Sequence, residues 1–378
     1  MKHAYLCDVE KKYNPFLLQG YADAATFCDR EKELAFLKEA MANQRNVTII
    51  SLRRLGKTAL IRHLFHSQRR FSPVFVDLYR TTSQPEMVRR IVEDTLKQVG
   101  KPTGSFLKEV AQAIRSLEFN FSLDAITGAP EWGAKLRPGQ PEVVALDELF
   151  AYLETRRKPV VIALDEFQQI VTYPEKNTEA LLREQVQKLR NVQFIFSGSD
   201  RRMMQRIFVD GKRPFFQATE PLYLGPIPDD AYATFIQSHF RAAGKKINVD
   251  LIQQGLSWCR THTYYVQYLF NRLFALARAS YETVDLVETQ AGILSERAPE
   301  YITLKRLLST NQAALVTAIA REGWVKEPFA TAFIREHRLS ALSSMRQSLS
   351  VLLDKEIVHE EEKGYRVTDV FFGHWLAE

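Results

Sequence analysis

The stretch SLRRLGKTAL, Ser51 to Leu60, decides how this chain folds. It contains Gly56, Lys57 and Thr58, the three residues on which a phosphate-binding loop depends. VTIISL (47–52) leads into it, a short β-branched apolar run of the kind that makes a buried parallel strand. Residues 57–66 follow, with Leu60, Ile61 and Leu64 on one helical face. Strand, tight loop and helix in this order aim backbone N–H groups and a helix dipole at one point. Arg54, Leu55, Gly56, Lys57, Thr58 and Ala59 are thus the candidate nucleotide-binding residues. Lys57 is placed to reach the β- and γ-phosphates, and the Thr58 hydroxyl to ligate Mg²⁺. The full pattern asks for glycine at position 51, where this chain has Ser51.

A second motif supports the first. VVIALDEF carries Asp165 and Glu166 at the C-terminal end of an apolar strand, the edge at which open α/β sheets bind ligands. Asp165 is the expected metal carboxylate, together with Thr58, and Glu166 the group that polarises an attacking water. A third element, FIFSGSDRRMM (194–204), brings Ser197, Ser199, Arg201 and Arg202 to the end of another strand. Arg201 is the candidate for offsetting transition-state charge, alongside Lys57 and Glu166 as catalytic residues. The same residues equally suit a helix start capped by Ser199 or Asp200 with surface arginines. Arg213, in KRPFF, is a further arginine able to face phosphate.

Composition bounds the rest. The chain has 378 residues, 46% hydrophobic and 25% charged, enough for two or three domains. Cys7, Cys28 and Cys259 are far apart with no CxxC pair, which argues against a zinc site or disulfide scaffold and suits a reducing cytoplasm. The opening MKHAYLCDVEKKYN is too polar for a signal peptide, and no apolar run is long enough to span a bilayer. A soluble cytoplasmic protein without a membrane partner is the expectation. Net charge is +6, and between Glu39 and Asp77 there is no acid but seven Lys or Arg. That run holds the GKT segment, so an anion site is a sharper reading than a solvated basic face.

Strand and helix patterns alternate from VTIISL through PVFVDL (73–78), a helix over 84–99, a helix over 141–157, VVIAL (160–164), a helix over 178–188 and VQFIF (192–196). Leu222 and Leu224 suit a last strand. This order predicts a parallel sheet flanked by helices. LEFNFSL (117–123) alternates with period two, predicting a hairpin insertion near 115–137. The chain reads as all-helical from Asp229 to about Ser295, and EIVHEEE and GYRVTD form a terminal strand pair.

These segments together resemble the archaeal and bacterial AAA-type ATPases of the STAND class, the signal-transducing P-loop ATPases. The matching features are NPF (14–16), FCDREKEL (27–34), ISLRRLGKTAL, ALDEF, FSGSDRRM, RPFF, THTYYVQYL (261–269) and GYRVTDVFFGHWL. The resemblance covers essentially the whole chain. It implies an α/β P-loop core over 1–228, an all-α lid over 229–298 and a winged-helix domain over 299–378. It also implies ATP and Mg²⁺ as cofactors, FCDREKEL near the base, and Ser51 as a normal variant of an S-x-R-R-x-G-K-T loop. The lid's usual small-residue or G-x-P element corresponds to Thr261, His262 and Thr263, without its proline. His262 there suits a structural role as well as a nucleotide contact.

The expected function is a slow, Mg-dependent ATPase acting as a regulatory switch, with nucleotide held between core and lid and an unidentified protein partner. The alternative is a DNA-binding ATPase similar to the origin-recognition initiators, using its winged helix. Charge weighs against DNA: from Tyr301 to Glu378 ten basic side chains are matched by ten acidic ones, and the wing, HEEEKG, is acidic. In the recognition-helix segment 343–354, Arg346 and Gln347 are the only plausible base readers. A third possibility is a nucleotide-binding interaction protein without useful turnover.

Overall fold

The computed structural model describes residues 14–100, 103–123, 130–137 and 139–378. Cys7 and the opening segment lie outside the described residues, as do residues 124–129 of the expected hairpin. The chain divides into two compact units. One is Gly20–Gly225, and the other joins residues 14–19 to Pro226–Glu378.

The first unit is a parallel sheet flanked by helices. In chain order it contains α1 (Glu31–Ala42), β1 (Val47–Ile50), α2 (Lys57–Ser67), β2 (Ser72–Asp77), α3 (Gln84–Val99), α4 (Gly104–Ala113), β3 (Leu117–Leu123), β4 (Pro130–Leu136), α5 (Glu142–Glu154), β5 (Val160–Asp165), α6 (Thr178–Lys188), β6 (Val192–Ser197), α7 (Arg201–Val209) and β7 (Glu220–Tyr223). Five strands lie in the order β2-β5-β6-β1-β7, all parallel. β3 and β4 pair antiparallel, with Asn120 opposite Gly133. Helix α4 was not anticipated from the sequence. Its start carries an ordinary cap, with the Phe106 N–H donating to Thr103 Oγ1 at 3.3 Å.

The central strands are buried on both faces, so they read as largely apolar runs, with Thr48 in β1 and Gln193 in β6 as buried polar exceptions. Alternate side chains go to opposite sides. Val47, Ile49, Val161, Ala163 and Ile195 pack with Leu37, Leu60, Ile61 and Leu64 from α1 and α2. Ile50, Ile162, Leu164, Phe194 and Phe196 pack on the other side with α3, α5 and a ring cluster of Phe167, Phe208 and Phe215. Truncating one such buried Leu or Ile to Ala costs about 2–5 kcal/mol, a large part of a domain's stability. This packing holds three strand ends rigidly side by side. β5 lies between β2 and β6, and β6 lies between β5 and β1.

The second unit contains α8 (Asp229–Ala242), α9 (Val249–Trp258), α10 (Thr263–Ala275), α11 (Thr283–Arg306), α12 (Thr310–Glu322), α13 (Thr331–Glu336), α14 (Leu342–Asp354), β8 (Val358–Glu361), β9 (Gly364–Val367) and α15 (Val370–Ala377). The NPF segment belongs to it. Asn14 Nδ2 donates to the Asn271 carbonyl (2.8 Å), and Asn271 Nδ2 returns a bond to the Phe16 carbonyl (2.6 Å). Between these bonds the Phe16 ring is fully buried against Phe235, Phe240, Phe270 and Phe274.

Helix α11 runs without a break from the helical region into the winged helix. The two regions also share a joint at α15. Trp258 stacks on His374 (4.7 Å, 6° between planes), Tyr265 meets the edge of Phe371, and Arg260 Nη1 donates to the Val367 carbonyl (3.0 Å). β8 and β9 form the wing, with a tight turn at Glu362 and Lys363, both with positive φ (50° and 63°) as primed hairpin turns require. Among the described residues, no helix is long and apolar enough to cross a membrane.

Candidate nucleotide site

The site is assembled at the C-terminal ends of β1, β5 and β6. After β1 the chain turns sharply, with Arg54 at φ +62° and Gly56 at φ +94°. Gly56 occupies a backbone region that costs glycine nothing. Ser51 is not among the residues with positive φ, and its side chain is buried. No glycine is therefore needed at position 51. Ser51 has a use of its own: its hydroxyl donates to the Leu52 carbonyl (2.8 Å) and accepts from Lys57 Nζ (3.1 Å). Lys57 also donates to the Leu52 carbonyl (3.1 Å). The buried ammonium is thereby held inside the loop it serves.

Helix α2 begins at this loop. The Gly56 carbonyl accepts the first helical bond from the Leu60 N–H (2.9 Å). The amides of Lys57, Thr58 and Ala59 come before that bond, in the turn whose N–H groups have no partner within a helix. An anion at such a turn is favoured by both hydrogen bonding and the dipole.

The carboxylates sit opposite. Thr58 Oγ1 donates to Asp165 Oδ2 at 2.8 Å. The other oxygen, Asp165 Oδ1, accepts from Ser197 Oγ (2.6 Å) and from the Glu166 N–H (3.1 Å). Glu166 has a left-handed backbone, φ +54°, at the sharp exit from β5. Its Oε2 accepts from Ser199 Oγ (2.7 Å), the Ser199 N–H (3.3 Å) and Gln168 Nε2 (2.5 Å). Arg53 Nη2 and Gln168 Nε2 each also approach Ser199 Oγ at 3.4 Å.

The structure thus brings Thr58, Asp165, Glu166, Ser197 and Ser199 into one hydrogen-bonded network, with the Ser51–Lys57 pair in the adjoining loop. Arg201 opens α7 and Arg202 follows it, and Arg53 and Gln168 also join the network. The helix-start reading of this segment holds beside the site reading. Asp200 caps α7, accepting from the Met203 N–H at 2.8 Å, while Ser199 turns to Glu166. Arg213 forms an ion pair with Glu179 on α6, a carboxylate whose pKa burial pushes up despite that partner. His262 is buried at the start of α10, edge-on to Tyr265, and Thr261 Oγ1 donates to Asp229 Oδ1 (2.7 Å).

Two residues of this region were not singled out from the sequence. Gln168 directly follows ALDEF, and its offset of two from Glu166 is the signal that could have marked it. Arg30, within FCDREKEL, is almost fully buried at the left-handed start of α1. It pairs with Glu33 (2.9 Å) and donates to the Gly225 carbonyl (2.7 Å) and to the loop carbonyl of Leu55 (3.4 Å). That box therefore braces the phosphate loop from behind.

The residues present fit a hard divalent cation. Adjacent ligands of an octahedral Mg²⁺ at about 2.0–2.1 Å lie roughly 2.9 Å apart. Thr58 Oγ1 and Asp165 Oδ2, both oxygen donors, are separated by 2.8 Å. Asp165 Oδ1 accepts two bonds, from Ser197 and the Glu166 N–H, while Oδ2 accepts from Thr58, the other oxygen donor of the pair.

A strand–loop–helix with a buried lysine, facing a strand-end carboxylate pair, is the arrangement of a P-loop ATPase. Sequence-family comparison agrees. Residues 27–211 match an ATPase domain described as predominantly from Archaea, and residues 299–378 match a probable winged helix domain. The chain thus joins an archaeal-type ATPase domain to a C-terminal winged helix. Among solved structures it is similar to a Walker-type ATPase of Pyrococcus abyssi, with 16% identity, TM-score 0.68, and coverage of 96% of this chain and 100% of that one. It is also similar to the ORC2 protein of Aeropyrum pernix in ADPNP–ADP complexes, with 14% identity, TM-score 0.61, and 97% and 96% coverage. At these identities the likeness speaks for the fold alone. No curated protein matches the sequence.

Proposed function

We propose that this protein is a Mg-dependent ATPase of the switch type, resembling the STAND class. In this reading its nucleotide state governs how the second unit is presented to a protein partner. The observation that carries the reading is the meeting of Thr58 and Asp165 beside Lys57, with Glu166 next along the same strand end. The nucleotide complexes named for the Aeropyrum pernix protein agree with ATP as the ligand.

In this reading Arg54 through Ala59 surround the phosphates with backbone N–H groups, and Lys57 turns from Ser51 toward the β- and γ-phosphates. Thr58 and Asp165 hold Mg²⁺, which neutralises phosphate charge when bound. Glu166 accepts a proton from water as the water oxygen bonds to the γ-phosphorus. The bond from that phosphorus to the bridging oxygen breaks, its electron pair leaving on ADP. Arg201, at the head of α7, offsets the charge on the transferring group. Turnover is slow, in keeping with a switch rather than a motor.

The test combines hydrolysis with thermal unfolding. A ligand at about 100 times its Kd stabilises the folded state by about 2.7 kcal/mol. Mg–ATP is expected to raise the melting temperature of the wild type, and Lys57→Ala to remove that rise. Glu166→Gln is expected to keep the rise and lose turnover. Equal, near-background turnover in wild type and Glu166→Gln would leave a nucleotide-binding interaction protein instead. For the partner, ATP-loaded Glu166→Gln and ADP-loaded wild type are expected to capture different proteins.

A further inference from the structure

Glu166 is held in an uneven way. All three described donors to its carboxylate converge on one oxygen, Oε2: the hydroxyl and N–H of Ser199, and Nε2 of Gln168. A carboxylate has about four acceptor sites spread over its two oxygens. Loading one oxygen fixes rotation about the last side-chain bond and turns the other, Oε1, into the site with capacity for an incoming proton.

Gln168 occupies this position at a cost. Among the described residues its Oε1 is buried without a hydrogen-bond partner. The opposite amide orientation would set a carbonyl oxygen against Glu166 Oε2, so electrostatics fix the assignment. The seat for that oxygen exists because residue 198 is glycine: a Cβ there would lie 2.1 Å from Gln168 Oε1. A buried unpaired carbonyl is unfavourable to folding. Its retention next to the proposed base points to a role at that base.

We propose that Gln168 is the positioning residue of Glu166: wedged against Gly198, it loads Oε2 and presents Oε1 to the attacking water. This rests on the reading of Glu166 as the group that takes the water's proton. The motifs read from the sequence give Gln168 no role.

The experiment measures kcat for ATP hydrolysis, and ATP affinity separately, on the full chain. Gln168→Ala is expected to lower kcat about 10- to 100-fold while ATP affinity stays within about twofold of wild type. Gly198→Ala keeps the glutamine but fills its seat, and is expected to lower kcat in the same direction, again with affinity retained. Adding Gln168→Ala to Glu166→Gln is expected to cause no further loss, because the two act as one unit. A kcat within twofold of wild type in Gln168→Ala overturns the proposal. So does a parallel loss of kcat and affinity, which marks general damage to the site. If the wild type itself shows no turnover, or Glu166→Gln retains it, the reading of Glu166 fails and takes this one with it.

Discussion

The hydroxyl of Thr58, on the first turn of α2, bonds directly to the carboxylate of Asp165 at the end of β5, 2.8 Å away. The two residues are 107 positions apart in sequence, and a parallel sheet brings them together. The same contact joins the phosphate loop to the carboxylate strand. Asp165→Ala removes the acceptor for both Thr58 and Ser197. It is expected to destabilise the nucleotide-free protein by about 1–3 kcal/mol, through the hydroxyls left unpaired. It is also expected to abolish the part of ATP stabilisation that EDTA removes from the wild type. Thermal unfolding with ATP, with and without Mg²⁺, reads both effects.

Ser51 gives a prediction of opposite character. Its backbone is outside the left-handed region and its hydroxyl accepts from Lys57. Restoring the consensus glycine is therefore expected to destabilise the protein by about 0.5–1.5 kcal/mol, from added unfolded-state freedom and the lost hydrogen bond. ATP affinity should change by less than about fivefold, since the loop amides remain. A large gain in affinity on Ser51→Gly, measured by titration, would show that the serine strains the loop.

The contrast between Ser51 and Gln168 shows what the sequence could disclose. Short, largely apolar runs were enough for the sheet strands, because β1 and β5, within VTIISL and VVIALD, are buried on both faces. The Gly56–Lys57–Thr58 trio and the Asp165–Glu166 pair were legible because each follows closely on a strand pattern. Whether Ser51 was a defect depended on one backbone angle, which no spacing reveals. Gln168 and Arg53 join the site through contacts across strand ends, and Arg30 through a carbonyl 25 residues away. Helix α4 was missed because the period-two run after it drew the reading toward strand. NPF resembled a family signature, but its burial among phenylalanines of α8 and α10 required the fold.

The joint between α9 and α15 makes the second unit sensitive to acid. His374 Nε2 donates to the Trp258 carbonyl at 2.8 Å, which places the proton on that nitrogen. Burial holds its pKa below the ordinary histidine value; the Trp258 carbonyl opposes that shift, the Arg260 charge adds to it, and Glu378 opposes it. A histidine with a depressed folded pKa binds more protons when unfolded. Its contribution to stability is thus complete above about pH 6.5 and is lost as pH falls toward the folded value. His63, stacked on Phe27, shifts the same way, with burial as the main cause. The melting temperature is expected to fall between about pH 7 and pH 5, and His374→Gln to flatten part of that slope. An unchanged slope in the variant would remove His374 from the account.

DNA binding is the outcome that charge argues against. A protein that neutralises phosphates releases counterions, so its affinity falls steeply with salt, by about 0.9 log units per log unit of salt for each contact. The winged helix has no net charge to spend on this: ten basic side chains stand against ten acidic ones over residues 301–378. In α14, Arg346 lies over the Phe329 ring at 5.6 Å. In the wing, Arg366 pairs with Glu361 at 3.2 Å, and Trp324 Nε1 donates to the Glu361 carbonyl at 3.1 Å, so a basic residue and a ring nitrogen there already have protein partners. Duplex DNA is therefore expected to bind weakly even at about 50 mM salt, with a shallow salt slope, in both ATP and ADP states. Fluorescence anisotropy across a salt series measures this. Tight binding with a slope steeper than about −4 would reassign the winged helix to DNA and turn the switch reading toward an initiator-like ATPase.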